Sequence, residues 1–404
     1  MRPGLTLVCV LTLPLLARAA GAEKAPAALT PKEIADGWIL LFDGETTYGW
    51  NEAGGSRWTV AKGMLAPQGQ APATLVTTAA FREFELKLQY RNRRDSRAKV
   101  LLWCGPDGGR IEGRESHAVD LDYEGDDWND LLVTVAEGRI RQEIRTETLS
   151  RRSAKIQEGI KILRPLISGH LGLVGSGLVV RNVKLKPLGM KPLFNGKDLT
   201  GWKKFEGNPR QARSNFTVTR GGWLNIKNGP GDLQTEGQWA DFVLQLDCIS
   251  NGRHLNSGVF FRCQPGKYQQ GYEAQIQNDF SVDPPKKYTV EEYDPQTHKL
   301  AGKKKVKSAA KDYGTGAIYR RVPARRPMAK DGEWFTMTVV ANGRHLATWV
   351  NGIQEVDWTD NRPLNDNARN GCRLEKGPIS LQGHDPTTDL SFRNLRIAEL
   401  PEKK

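Results

Sequence analysis

The chain carries one pattern twice. LFDGETTYGW (Leu41 to Trp50) returns as LFNGKDLTGW (Leu193 to Trp202), and RWTVAKGML (Arg57 to Leu65) returns as NFTVTRGGWL (Asn215 to Leu224). FREFELKLQY (Phe81 to Tyr90) returns as WADFVLQLDC (Trp239 to Cys248), KVLLWC (Lys99 to Cys104) as GVFFRC (Gly258 to Cys263), and VRNVKL (Val180 to Leu185) as FRNLRI (Phe392 to Ile397). Matches in the same order mean tandem duplication, and the period is far too long for a solenoid, so each copy is a whole domain. The first copy spans residues 38–188 and the second 191–400. The join, PLGMKP, is short and punctuated by Pro and Gly, which sets the two domains against each other.

Within each copy the segments read as strands. FELKLQY, FVLQLD, TMTVVA, HLATWVNG, PISLQG and LSFRNLRI are short, alternating, and β-branched or aromatic, with turn residues between them. ANGRHLATWVNGIQEV contains Asn-Gly twice, a hairpin signal. Helical periodicity is scarce; only Pro31 to Gly37 reads as a brief helical turn. Many short strands with almost no helix predict an all-β chain of two β-sandwich or jelly-roll domains. The second copy is longer because of a stretch inserted between Asp279 and Trp334. Rich in Lys, Pro and Gly, it reads as long loops with exposed lysines, placed as a lid near any site on the preceding strand.

The 404 residues suit two or three domains, and 38% hydrophobic content suits a soluble globular chain. Residues 1–22 read as a secretory signal peptide: Arg2, an apolar run from Leu5 to Leu16, then Ala17, Ala19, Ala20 and Ala22. Export to the periplasm or the extracellular space is the corresponding expectation. No later stretch approaches the ~20 apolar residues of a membrane span. Cys104, Cys248, Cys263 and Cys372 follow the signal. They allow three pairings, among which sequence does not choose, and are too few and too spread for a disulfide framework. No Cys or His cluster has zinc spacing, and no cofactor is implied. The net charge of +13 gathers largely between Lys286 and Lys330, in GKKKVK and RRVPARR. Basic runs are usually solvated loops, and without a nucleic-acid motif no nucleic-acid partner is expected. Oligomeric state is left open.

The stretch from Gly252 to Asp279 carries the chemistry. In an extended strand side chains alternate between faces. Asn256, Gly258, Phe260 and Arg262 then share one face, as do Glu273, Gln275, Gln277 and Asp279 on the next run, with Tyr272, Ala274 and Ile276 opposite. Four polar groups in a row exceed what a solvated strand needs. The plain alternative is a half-exposed antiparallel strand; the sharper one is a sugar-sized polar floor. Trp202 and Trp223 are assigned to the core.

LFNGKDLTGW, NFTVTRGGWL, LNSGVFFRC, GYEAQIQND, GTGAIY, GEWFTMTVVANGRHLATWVNG and GPISLQGH…FRNLRI together resemble the 3-keto-disaccharide hydrolase domain. The second copy matches throughout; the first keeps mainly LFDG…GW and VRNVKL. The resemblance implies a concanavalin A-like jelly roll with a sugar site on a concave sheet, acting on glycosides already oxidised at C3. A C3 ketone acidifies the C2 proton. A base removes it, the C1 substituent leaves, and water adds back for net hydrolysis. By family position, Glu273 is the base. Arg262 and Asn256 hold the ketone or hydroxyls, Gln275 and Asp279 bind hydroxyls, His384 is the acid, and Tyr319 lines the pocket. A divalent ion near Asp279 and Glu273 has no supporting ligand spacing. In the first copy Ala118 stands for Glu273, Asp120 for Gln275 and Trp103 for Arg262, while His170 is displaced from the position of His384. That copy is expected to lack the reaction. Two readings compete with an exported hydrolase or lyase: a non-catalytic carbohydrate-binding protein and a surface interaction scaffold.

Overall fold

A computed structural model describes residues 28–94, 96–111, 113–122, 127–147, 152–161, 168–278 and 281–401. The signal-peptide reading of residues 1–22 and the assignment of Asp279 fall outside the described residues.

Each copy is an antiparallel sandwich of a large and a small sheet. In the first, the large sheet runs Arg152–Lys161, Arg139–Glu147, Asn129–Ala136, Phe84–Arg91, Val179–Pro187, Met64–Pro67, Trp58–Ala61, with Ile39–Leu40 also on Val179–Pro187. In the second it runs Ile353–Thr359, His345–Val350, Phe335–Asn342, Phe242–Ser250, Asp389–Glu399, Leu224–Lys227, Asn215–Val218, with Lys191–Pro192 also on Asp389–Glu399. The small sheets run Trp50–Ala53, Ala73–Thr77, His170–Gly175, Ala98–Cys104, His117–Leu121 and Trp202–Lys204, Gly231–Thr235, Ser380–Gly383, Asn256–Phe261, Tyr272–Gln277. Strand for strand the orders are the same, so the repeats seen in sequence occupy equivalent places. The expected all-β double sandwich is what the chain forms. A short helix, Pro31–Ala35, carries a Thr30–Glu33 capping box at its start.

Alternation builds each core. Leu233, Val259, Phe261, Tyr272, Ala274, Ile276 and Leu381 point from the second small sheet toward Leu244, Leu246, Met337 and Val339 of its large partner. Trp202 joins this core, whereas Trp223 is 36% exposed and packs edge-on against Trp334, with ring centroids 5.0 Å apart. Trp223 is therefore no core residue, because its strand begins only at Leu224.

The two sandwiches share apolar surface. Val243, Val340, Ala347 and Trp349 point outward from the second large sheet and join the first copy's cluster with Ile39 and Leu41. Trp349 Nε1 donates to Leu40 O at 3.0 Å, Gln245 Nε2 to Gly37 O at 2.9 Å, and Leu40 N to Gly352 O at 2.8 Å.

The insertion differs from the loop expectation. Ser281–Tyr293 and Leu300–Ala310 form a long hairpin. Period-2 patterning within KKYTVEEY and KKKVKSA explains it: Tyr288, Val290 and Ser308 are buried while the intervening residues are largely exposed. The limb after it crosses to the first copy, where Arg325 meets Asp43 at 3.0 Å and Arg326 meets Glu45 at 2.7 Å. The insertion thus helps join the two copies and is more than a lid, while its stretch Tyr319 to Arg321 borders the pocket beside Glu273, where the insertion was expected to lie. All four described cysteines are buried as free thiols.

Candidate functional site

The outer face of the second small sheet is polar. Register sets Asp232 beside Gln382 and Gln234 beside Ser380. Across the sheet, Gly258 faces Gln275, Phe260 faces Glu273, and Asn256 faces Gln277. Except for Phe260 and Gly258, these neighbours are all polar, and they share the side opposite Leu233, Val259, Ala274 and Leu381. Asp232 Oδ1, Gln275 Oε1, Gln382 Oε1 and Ser380 Oγ are buried there with no hydrogen-bond partner among the described residues. Buried polar atoms normally find partners. Four orphans on one face suit a ligand dense in hydroxyls.

Glu273 is 6% exposed and lies on this face. Gly258 makes room for it: a Cβ there would stand 2.7 Å from Glu273 Oε1. Arg369 Nη2 donates to Glu273 Oε2 at 3.0 Å, and its guanidinium sits 5.2 Å from the Phe260 ring centroid. The loop that carries Arg369 is anchored by Asp360. Its carboxylate takes Tyr272 Oη at 2.7 Å and Arg362 Nη2 at 2.7 Å, and Arg362 in turn donates to Ala368 O and Gly371 O. Burial pushes the Glu273 carboxyl up to about 7, against the opposing pull of Arg369 and Arg320. Burial likewise lifts Asp232 to about 7, opposed by the backbone N–H of Gln269 and assisted by Glu273. A pocket of about 280 Å³ opens beside Glu273, bounded by Tyr319, Arg320, Arg321 and Arg369. Arg320 is exposed and has a left-handed backbone, φ +61°.

The other expected residues divide. Gln275 Nε2 donates to Asn256 Oδ1 at 3.2 Å, Asn256 Nδ2 lies 3.3 Å from His384 Nε2, and His384 Nδ1 lies 2.8 Å from Asp385 Oδ2. Gln275, Asn256 and His384 are therefore one hydrogen-bonded row, and His384 stands half-exposed at its end. Tyr319 lines the pocket, as its motif suggested.

Arg262 does not join them, and its assignment to the site is corrected here. It is fully buried. Its guanidinium donates to Ala240 O at 2.6 Å, Gly343 O at 2.8 Å, Arg373 O at 3.0 Å and Asp241 Oδ1 at 2.8 Å. Alternation fails because the strand ends at Phe261 and Arg262 turns left-handed, φ +48°. Trp103 turns the same way, φ +57°, and donates to Arg82 O, the carbonyl equivalent to Ala240 O. The position is a structural post in both copies.

Sequence reading missed Arg369, Asp232, Gln382 and Ser380. Parity within GDLQT and SLQG could have flagged the last three. Arg369 lies in an irregular loop where parity has no meaning.

The first copy lacks this surface. Its register pairs Leu101 with Ala118 and Lys99 with Asp120, where the second pairs Phe260 with Glu273 and Gly258 with Gln275. Thr74, Val76, Gly172 and Val174 stand where the second has Asp232, Gln234, Ser380 and Gln382. His170 is buried, with Nδ1 2.8 Å from Thr77 O.

Among the described residues, no group of three or more His, Cys, Asp or Glu is placed to hold a metal ion, and no helix is long and apolar enough to cross a membrane.

The fold is a double β-sandwich with one polar outer face, and its family makes it carbohydrate-active. The chain belongs to the family of the 3-keto-alpha-glucoside-1,2-lyase-like domain, whose model matches residues 37–129 and 189–398. No curated protein matches the sequence. Among solved structures, a candidate glycosyl hydrolase from Parabacteroides distasonis ATCC 8503 is similar at 23% identity and a TM-score of 0.39, covering 53% of this chain and 94% of that one. The carbohydrate-binding module CBM66 from Bacillus subtilis is similar at 13% identity and a TM-score of 0.30, covering 49% and 95%. The Bacillus licheniformis β-glucanase is similar at 13% identity and a TM-score of 0.31, covering 52% and 97%.

Proposed function

We propose that the second sandwich cleaves 3-keto-glycosides, with Glu273 as the base. One observation carries this reading: a buried carboxylate lifted to about 7, held by Arg369 at the edge of a pocket. A base works best when its pKa lies near the operating pH. Ionised Glu273 takes the C2 proton of a sugar bearing a C3 ketone. The C2–H electrons pass into the enolate of the C3 ketone, which collapses to restore the ketone and form a C1–C2 double bond as the C1–O bond breaks, and the leaving oxygen takes a proton. Addition of water, OH to C1 and H to C2, completes hydrolysis.

Arg369 orients the carboxylate and faces the enolate charge that develops. His384, with Asp385 behind it and Asn256 beside it, is the group offered for the leaving oxygen. Asp232, Gln275, Gln382 and Ser380 offer unpartnered polar atoms to sugar hydroxyls. The N-terminal pattern supports work outside the cytoplasm.

The test is release of the aglycone from a 3-keto-glucoside. Glu273→Gln keeps the shape and removes the base. Turnover should fall by about 10²-fold or more while binding survives. The unoxidised glucoside should stay intact, because its C2 proton is not acidic; equal cleavage of both substrates would rule the mechanism out. The four orphaned atoms also favour a second reading, a sugar-binding protein without turnover. Saturable binding of the 3-keto-glucoside with no product would select it.

A further inference from the structure

The lysine-rich hairpin is not used by this chemistry. Its register sets Lys287 opposite Lys307, Thr289 opposite Lys305 and Glu291 opposite Lys303. Alternation puts all six on one face, opposite the buried Tyr288, Val290 and Ser308. That face thus carries Lys287, Lys303, Lys305 and Lys307, all exposed, with one carboxylate, Glu291, taken by Lys303 at 3.4 Å.

Both ends of the hairpin are fixed. The Tyr288 hydroxyl donates to Ala310 O at 2.6 Å, and its ring packs 4.8 Å from Tyr313. At the tip, His298 Nδ1 lies 3.0 Å from Asn361 O. The limb that follows the hairpin supplies Tyr319, Arg320 and Arg321 to the pocket beside Glu273.

Like charges set directly opposite each other destabilise a sheet. Next-but-one residues on a strand are only about 7 Å apart, inside the Debye length of about 8 Å at physiological salt. The repulsion is therefore not screened away. Lysines do blunt open strand edges, but that role needs no opposed pair on the face.

We propose that this face binds an acidic polysaccharide, a chain with repeated anionic groups along its length. A row of ammonium groups on a pinned two-stranded ribbon meets such a chain at several points, with the flexible lysine stems adjusting to the spacing of its charges. Between Lys287 and Lys303 the face carries a single aromatic ring, Tyr293, half-buried with its hydroxyl donating to Glu291 Oε2 at 3.1 Å, so there is no series of rings on which successive bases could stack, and the six facing residues include no apolar side chain to enter a bilayer. Membership in a carbohydrate-active family makes a glycan the polymer of choice.

The test uses the full chain and reads binding alone, so it stands whether or not Glu273 is the base. Affinity electrophoresis compares gels containing polygalacturonate with gels containing neutral dextran, at low and high salt. Retardation by polygalacturonate alone, weakened by salt, is expected. Lys287→Gln/Lys305→Gln/Lys307→Gln should raise the dissociation constant by about tenfold or more, and the matching triple change to Arg should restore it. Circular dichroism checks each fold. Should the triple Gln variant fail to fold, single Lys287→Glu and Lys307→Glu variants carry the same test. Unchanged binding by the charge-removing variants overturns the proposal. So does equal retardation by dextran, or tighter binding to single-stranded DNA or to phosphatidylserine vesicles than to polygalacturonate.

Discussion

Glu273 and Arg262 lie on neighbouring strand runs, and burial gives them opposite roles. Glu273 is buried beside a pocket, and desolvation outweighs the pull of Arg369 and Arg320, so its proton is held up to about 7. In the unfolded chain it would titrate near 4.5. A raised carboxyl pKa means the folded state binds the proton more tightly. Its contribution to stability is full below 4.5 and is lost as pH rises through 7. Glu273→Gln should flatten that part of the stability–pH curve, read as thermal midpoints across this window. The base form appears over the same range, so kcat/KM on a 3-keto-glucoside should climb through pH 7 and then level. A profile already flat from pH 5 upward would count against Glu273 as base. Arg262 has its charge matched by Asp241 and its other donors by carbonyls. Arg262→Ala leaves Asp241 buried without its cation, and should cost about 3–5 kcal/mol in urea unfolding. A neutral result would mean that Asp241 finds water in the space left.

At the scale of elements, the site depends on one bare position in a strand. The strand Asn256–Phe261 has Gly258 beneath the Glu273 carboxylate, where a Cβ would come within 2.7 Å of Oε1 and 2.8 Å of Cγ. Gly258→Ala should push the carboxylate aside while the strand keeps its ladder. We expect turnover to fall by about tenfold or more, since a displacement of about 1 Å can cost as much as 10²-fold. The thermal midpoint should change little. Full activity in this variant would show that Glu273 needs no fixed position. The hairpin teaches the converse lesson. Its composition suggests loop, but the alternation within KKYTVEEY buries Tyr288 and Val290 and makes a strand.

At the scale of the molecule, the first copy is a partner in packing. Val243, Val340, Ala347 and Trp349 point out of the second large sheet and are covered by the first copy's core. Trp349 is 1% exposed, and its indole N–H is satisfied by Leu40 O. Trp349→Ala should therefore cost about 3–5 kcal/mol, with added binding of a hydrophobic dye as the face opens. Unaltered unfolding would mean that the two copies are energetically independent.

Much of this was legible in the chain. The duplication, the all-β class and the absence of Glu273's counterpart at Ala118 follow from order and period-2 alternation, which are local properties. Parity alone placed Glu273 and Gln275 on one polar face. What tertiary structure decided lies where local rules end. A left-handed residue after Phe261 sends Arg262 into the core. A loop anchored by Asp360 and Arg362, far along the chain, brings Arg369 to Glu273 instead. The proton affinity of Glu273 comes from desolvation, and desolvation exists only once strands distant in sequence close around it.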